Sequence, residues 1–226
     1  MSDRPRLLPG VFIGSHAIAA GMLTPQELRT RGFRRLVQGV HADPGLPLDH
    51  RLRCRAVALL LPAGMAIGGH SAAAWYGAPF ASFHDPVTVV RPPDVEWKGP
   101  RGVRVHRSRT PFDVVIDAED VAVTSPLRTA WDVAALESLG TAVAAVDGMV
   151  RTGSVSQREL ERLIEAGNGR WGVSRVRRAG PLVDPRAESA PESRVRVALA
   201  LAPPFHSSRN ARPATSSRGA TTATRA

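Results

Sequence analysis

A chain of 226 residues, 43% of them hydrophobic, has material for one or two domains with a buried core, and its net charge of +10 favours acidic partners. Lys98 is the only lysine, so arginine carries the positive charge; scarce Asn, Ile and Tyr trace part of that bias to a GC-rich genome, and a nucleic-acid partner is the other reading. Cys54 is alone, which excludes an intramolecular disulfide and fits a reducing cytoplasm, and no apolar run reaches the length of a membrane span or a secretory h-region.

Residues 11–43 read as a small helical unit followed by a strand. Ala17–Gly21 is a short helical piece closed by glycine. Thr24-Pro25-Gln26-Glu27 is a capping box with proline at the first helical position, opening a helix that runs to about Arg31. Phe33–Ala42 then reads as a basic turn entering a strand. Helix, turn, basic segment and strand is the order of a winged helix-turn-helix with one helix shortened. Arg29, Arg31, Arg34 and Arg35 crowd the turn, where phosphate contacts would be useful; a solvated Arg-rich loop is the alternative.

Leu48–Leu61 has the clearest helical pattern, ended by Pro62 and Gly64. Its Arg51, Arg53 and Arg55 read as a solvated face, with phosphate contact as the second reading. The stretch Ile67–Pro79 looks like the centre of the fold. Gly68-Gly69 turns the backbone where side chains would collide, Ser71 is a reasonable N-cap, and Ala72–Ala74 allow close packing. Trp75 and Tyr76 supply apolar surface, and Gly77 with Pro79 stops the helix. His70 reads as a hydrogen-bonded structural residue rather than a catalytic one, since no Cys/His cluster or carboxylate pair accompanies it. Trp75 is expected under the 52–61 helix and the 87–90 strand.

Pro86–Arg91 and Gly102–Arg107 are β-branched strands, and Val103 and Val105 alternate with Arg104 and His106, which gives the second strand a basic face. Val121–Thr124 is a third strand. Helices follow at Leu127–Leu136 behind Ser125-Pro126, at Thr141–Arg151, at Ser156–Ala166 behind a second capping box, and at the Arg-rich Trp171–Ala179. Pro181–Pro185 is a linker or loop, and Glu192–Ala202 is helical and apolar enough to need a partner. Of the last 24 residues, 20 are Ala, Arg, Ser, Thr or Pro, so the tail from Pro203 cannot bury enough surface to offset its ordering entropy and is expected to be disordered.

Five segments together resemble a large actinobacterial family: Gly10–Phe12, Gly39–Asp43, Gly68–Ala73, Pro126–Asp132 and Glu188–Arg196. Its members are labelled AbiEi-type antitoxin-like proteins of type IV toxin–antitoxin systems, or by a C-terminal domain similar to very-short-patch-repair endonucleases. The resemblance covers about residues 10–202. It implies a winged-helix-like DNA-binding portion, a middle α/β portion, and a PD-(D/E)XK-type core in which a helical Glu and strand carboxylates hold a catalytic metal. Glu192 matches the first helix of that domain, yet no later segment resembles its carboxylate-bearing strands, so Glu192 is at most vestigial and no metal site or cofactor is expected.

The expected fold is therefore α+β. A winged-helix-like unit occupies 1–45, an α/β middle domain 46–180, a linker and one orphan helix of the missing nuclease-like domain 181–202, and a tail 203–226. The expected function is a DNA-associated, non-catalytic regulator of antitoxin type in the cytoplasm, with double-stranded DNA as partner, a cognate toxin as a second partner the family allows, and no membrane. The rivals are a metal-dependent endonuclease and a gene remnant. The codons open to Ala202–Arg209, read one nucleotide over, also permit Pro-Ala-Val-Pro-Gln-Phe-Glu, which looks like the family's continuation. A tail translated out of frame is the expectation that follows.

Overall fold

The computed structural model describes residues 7–8, 10–78 and 81–202; Pro79 and the Pro203–Ala226 tail, with the helix stop, disorder and frame expectations placed on them, lie outside these. The fold is mixed α+β, built on two small sheets. In the first, β1 (Leu7–Leu8), β2 (Val11–Ile13), β3 (Arg34–Val37) and β4 (Val40–Ala42) are antiparallel in the order β1-β2-β4-β3. Two helices, α1 (Gly14–Ala19) and α2 (Pro25–Thr30), connect β2 to β3. Apart from the added β1, strand, helix, helix and hairpin with β4 in the middle is the winged-helix arrangement minus its first helix. The expected single strand over 33–42 is a hairpin instead. Gly39, at φ +78°, takes the left-handed backbone that a tight turn needs, so the chain reverses at Gln38-Gly39.

Helix α3 (His50–Ala58) lies between the two sheets. Val11, Val37, Val40 and Ala42 of the first sheet share one apolar core with Leu52 and Val57 of α3 and with Val87, Val89 and Val123 of the second. The N-terminal unit is thus welded to the chain beyond residue 45. The second sheet runs β7-β6-β5-β9-β8, from β5 (Ala66–Ile67), β6 (Val87–Arg91), β7 (Val103–Arg107), β8 (Val114–Ile116) and β9 (Ala122–Thr124). It is mixed: β6–β7 and β5–β9 are parallel, the other pairs antiparallel.

The stretch that looked central is the hub. Helix α4 (Gly69–Trp75) leaves β5 through Gly68, where an added Cβ would stand 2.4 Å from Val90 Cγ2, and through Gly69 at φ +52°. Close approach of helix to sheet demands glycine there. Gly68 is the N-cap, not Ser71. The Ser71 hydroxyl is buried and taken up elsewhere: it accepts from the Thr88 backbone N–H at 2.9 Å and lies 2.8 Å from His50 Nε2, tying α4 to β6 and α3. Trp75 is 8% exposed and packs in the α3–β6 core, as expected. Its indole N–H donates to Asp117 Oδ2 at 2.9 Å.

A helical layer completes the molecule, with α5 (Pro126–Leu136), α6 (Leu139–Arg151), α7 (Gln157–Glu165), α8 (Val173–Ala179) and α9 (Ala190–Leu201). The α8 helix begins at Val173 rather than Trp171, because Gly172 at φ +79° caps it from the left-handed region. The last helix has a partner on one side. Ala190, Ser193 and Val197 of α9 are buried, and α6 is its main neighbour. Asp147 of α6 anchors it, accepting from Ser193 Oγ at 2.7 Å, Arg196 Nη2 at 2.6 Å and the Asp184 N–H at 2.7 Å. The opposite side leaves Val195 and Leu199 exposed, and Leu201 is exposed at the helix end. Among the described residues, no helix is long and apolar enough to cross a membrane.

Candidate nucleic-acid interface

Helix α2 is short, so its ends decide whether it forms. Thr24 caps it: Glu27 N–H donates to Thr24 Oγ1 at 3.1 Å, and Thr24 N–H donates back to Glu27 Oε2 at 2.8 Å. The Thr24 N–H first, and the Thr24 hydroxyl donating to the same oxygen at 3.0 Å second, hold the Glu27 carboxyl below the usual carboxylate range. Beneath α1 and α2, Phe12 meets Phe33 edge-on at 5.0 Å and stacks on His41 at 5.9 Å. An apolar hollow of about 310 Å³ opens beside them, lined by Phe12, Ala17, Met22, Leu23 and Phe33.

The four arginines expected at the turn do not form one patch. Arg31 is engaged by Glu27 one turn back, at 2.7 Å. Arg34 faces the α3 side of its strand, opposite buried Ala42, and donates to the Leu46 carbonyl at 3.1 Å. Arg35, next along β3, points to the other face, opposite His41. Burial first, and the Arg35 charge second, keep His41 below its ordinary pKa. Arg29 on α2 and Arg35 on the hairpin are exposed and have no acidic partner among the described residues.

The arginines of α3 correct the solvated-face reading. Arg53 is 9% exposed, and its guanidinium donates to the carbonyls of Phe83 at 2.8 Å, Asp85 at 3.0 Å and Gly102 at 3.4 Å. Arg51 lies over the Trp75 ring at 3.9 Å and reaches Glu119 at 3.2 Å, while Arg55 pairs with the same carboxylate at 2.5 Å. These side chains hold loops to the core, because those loops present carbonyls and a carboxylate that burial would otherwise leave unmatched.

His70 is buried and hydrogen-bonded, as its sequence context suggested. Its Nδ1 lies 3.2 Å from Thr88 Oγ1 and 3.5 Å from Glu137 Oε1, and Arg104 also approaches Glu137 at 3.5 Å. The His70 contact, with Arg104 alongside, holds Glu137 below the usual carboxylate range. Glu192 serves its own helix: its carboxylate accepts from the Glu188 N–H at 2.9 Å, and its N–H donates to Ser189 Oγ at 3.4 Å. Among the described residues, no three His, Cys, Asp or Glu side chains converge as metal ligands would.

A half-exposed tryptophan is not singled out by the sequence reading. Trp171 stands on the surface in Gly169–Gly172, its ring centroid 5.1 Å from that of His106 on β7. The pair of positive-φ glycines around it was the available signal.

No protein-family model matches the chain, and no curated protein does. Among solved structures, the chain is similar to the RV2827C protein from Mycobacterium tuberculosis, at 19% identity and a TM-score of 0.43, covering 81% of this chain and 73% of that one.

Proposed function

We propose that the chain is a DNA-associated, non-catalytic regulator that docks its N-terminal unit on duplex DNA, mainly through phosphates. The observation that carries this reading is the strand–helix–helix–hairpin order with Arg29 on the second helix and Arg35 on the hairpin, both exposed and free of acidic partners among the described residues. In such a unit the second helix enters the major groove and the hairpin flanks it, so charges on both meet the backbone from two sides. A net charge of +10 adds long-range attraction. The finer assignment, an antitoxin-like regulator of the type IV kind acting in the cytoplasm with a toxin as second partner, rests on the resemblance of the five segments quoted above. The capping role of Glu192 speaks for the non-catalytic reading over the endonuclease, since that carboxylate is already engaged by backbone N–H at its own helix start.

The test is a gel shift of the full chain against duplex taken from upstream of its own gene, with unrelated duplex as competitor. A complex that forms at moderate salt and dissolves steeply as salt rises is expected. No complex with either duplex overturns the reading. Mg²⁺-dependent cleavage lost in Glu192→Ala returns the endonuclease to first place.

A further inference from the structure

We propose that the surface around Trp171 is a second nucleic-acid site, one that stacks an unpaired base of a single strand on the indole. It goes beyond the winged-helix reading and stands on different residues. Trp171 is 50% exposed, yet its place is fixed: its carbonyl accepts the Trp131 indole N–H at 2.9 Å, and Gly172 beside it has no room for a Cβ, which would fall 2.5 Å from Ala135 Cβ. A large exposed aromatic ring on a fixed backbone is suited to a flat, apolar partner. His106 backs the ring from β7.

Arginines outnumber acids in the elements around it. Arg170 lies over Trp131 at 4.2 Å, Arg175 is held to the Ala135 carbonyl at 2.7 Å, and Arg104 lies two residues from His106 on the same face of β7. The nearby acids are already engaged: Asp132 is buried against Arg128 at 2.8 Å, and Glu137 lies within 3.5 Å of both His70 and Arg104. Arg170 and Arg175 have no acidic partner among the described residues. An exposed indole with arginines on its own loop, on α8 and on β7 fits single-strand recognition, in which bases stack and phosphates follow the cations. A duplex hides its base faces, so it fits this surface less well.

The test is fluorescence anisotropy of labelled dT and rU oligonucleotides with the full chain. Wild type is expected to bind, Trp171→Ala to weaken binding roughly 5- to 150-fold, and Trp171→Phe to restore most of it. Arg170→Ala should weaken binding modestly and flatten its salt dependence. Unchanged binding in Trp171→Ala overturns the proposal, as does a wild type that ignores both strands. So does concentration-dependent self-association that Trp171→Ala abolishes while strand binding is absent, which would make the ring a contact between copies. The Arg29→Ala/Arg35→Ala double variant is expected to bind single strands normally, so this proposal and the duplex reading fail separately. Preference between the dT and rU arms tells DNA from RNA at the site.

Discussion

Arg53 and Arg35 have the same side chain and opposite fates, and the difference is what surrounds them. Three carbonyls converge on Arg53, whereas Arg35 is exposed and has the half-buried imidazole of His41 for a neighbour. Arg53→Ala is expected to destabilise the fold by about 1–3 kcal/mol, the cost of leaving buried acceptors unpaired, in urea melts. The folded variant should bind duplex as wild type does; weaker binding would give Arg53 the phosphate role its burial argues against. Glu137 makes a pH prediction. Its folded pKa lies below the 4.5 of a free glutamate, so its stabilisation is present above that pH and is lost as pH falls through the folded value. Glu137→Gln should therefore be less stable than wild type at neutral pH, and the gap should close as melts are taken to increasingly acid pH. A gap that persists unchanged in acid would show that shape, not charge, is what Glu137 supplies.

At the scale of elements, α4 and α9 are each held by polar ties added to an apolar contact. Trp75→Ala should cost about 3–5 kcal/mol, because the ring is buried in the core that α3 and β6 share and its indole N–H satisfies Asp117. A loss below about 1 kcal/mol would mark the ring as a surface anchor. Asp147→Ala should free α9: hydrogen exchange over 190–201 is expected to quicken while β6 and β9 stay protected. Uniform loss of protection would mean α9 and the sheets unfold together. Most of these elements were legible, since capping boxes at Thr24 and Ser156 and the Ser125-Pro126 start are local signals that local bonds enforce. The hairpin turn and the true start of α4 were not. Gln38-Gly39 lies inside one apolar–basic run, and Ser71 looks like a cap until Thr88, 17 residues on, takes its hydroxyl. The strand β8 was missed because Val114, Val115 and Ile116 are all exposed, so they show no alternation to read. Of the candidate site, the charge was legible and its direction was not. Alternation on β3 sends Arg34 and Arg35 to opposite faces, and Glu27 claims Arg31, facts of pairing that residue type cannot carry.

Across the whole molecule, one core runs from the first sheet through α3 to the second, so the wing unit is a fixed part of the body. That rigidity suits backbone recognition, where register depends on several charges held at set spacings. On the proposed reading, Arg29 and Arg35 meet DNA phosphates and Arg31 and Arg34 do not. Duplex affinity measured over a salt series for two double variants separates the pairs. Arg29→Ala/Arg35→Ala should lower affinity across sequences and flatten the log–log salt slope by about two, one for each phosphate that no longer meets an arginine. Arg31→Ala/Arg34→Ala should leave the slope near that of wild type. An unchanged slope in the first pair, or an equal fall in the second, would contradict it.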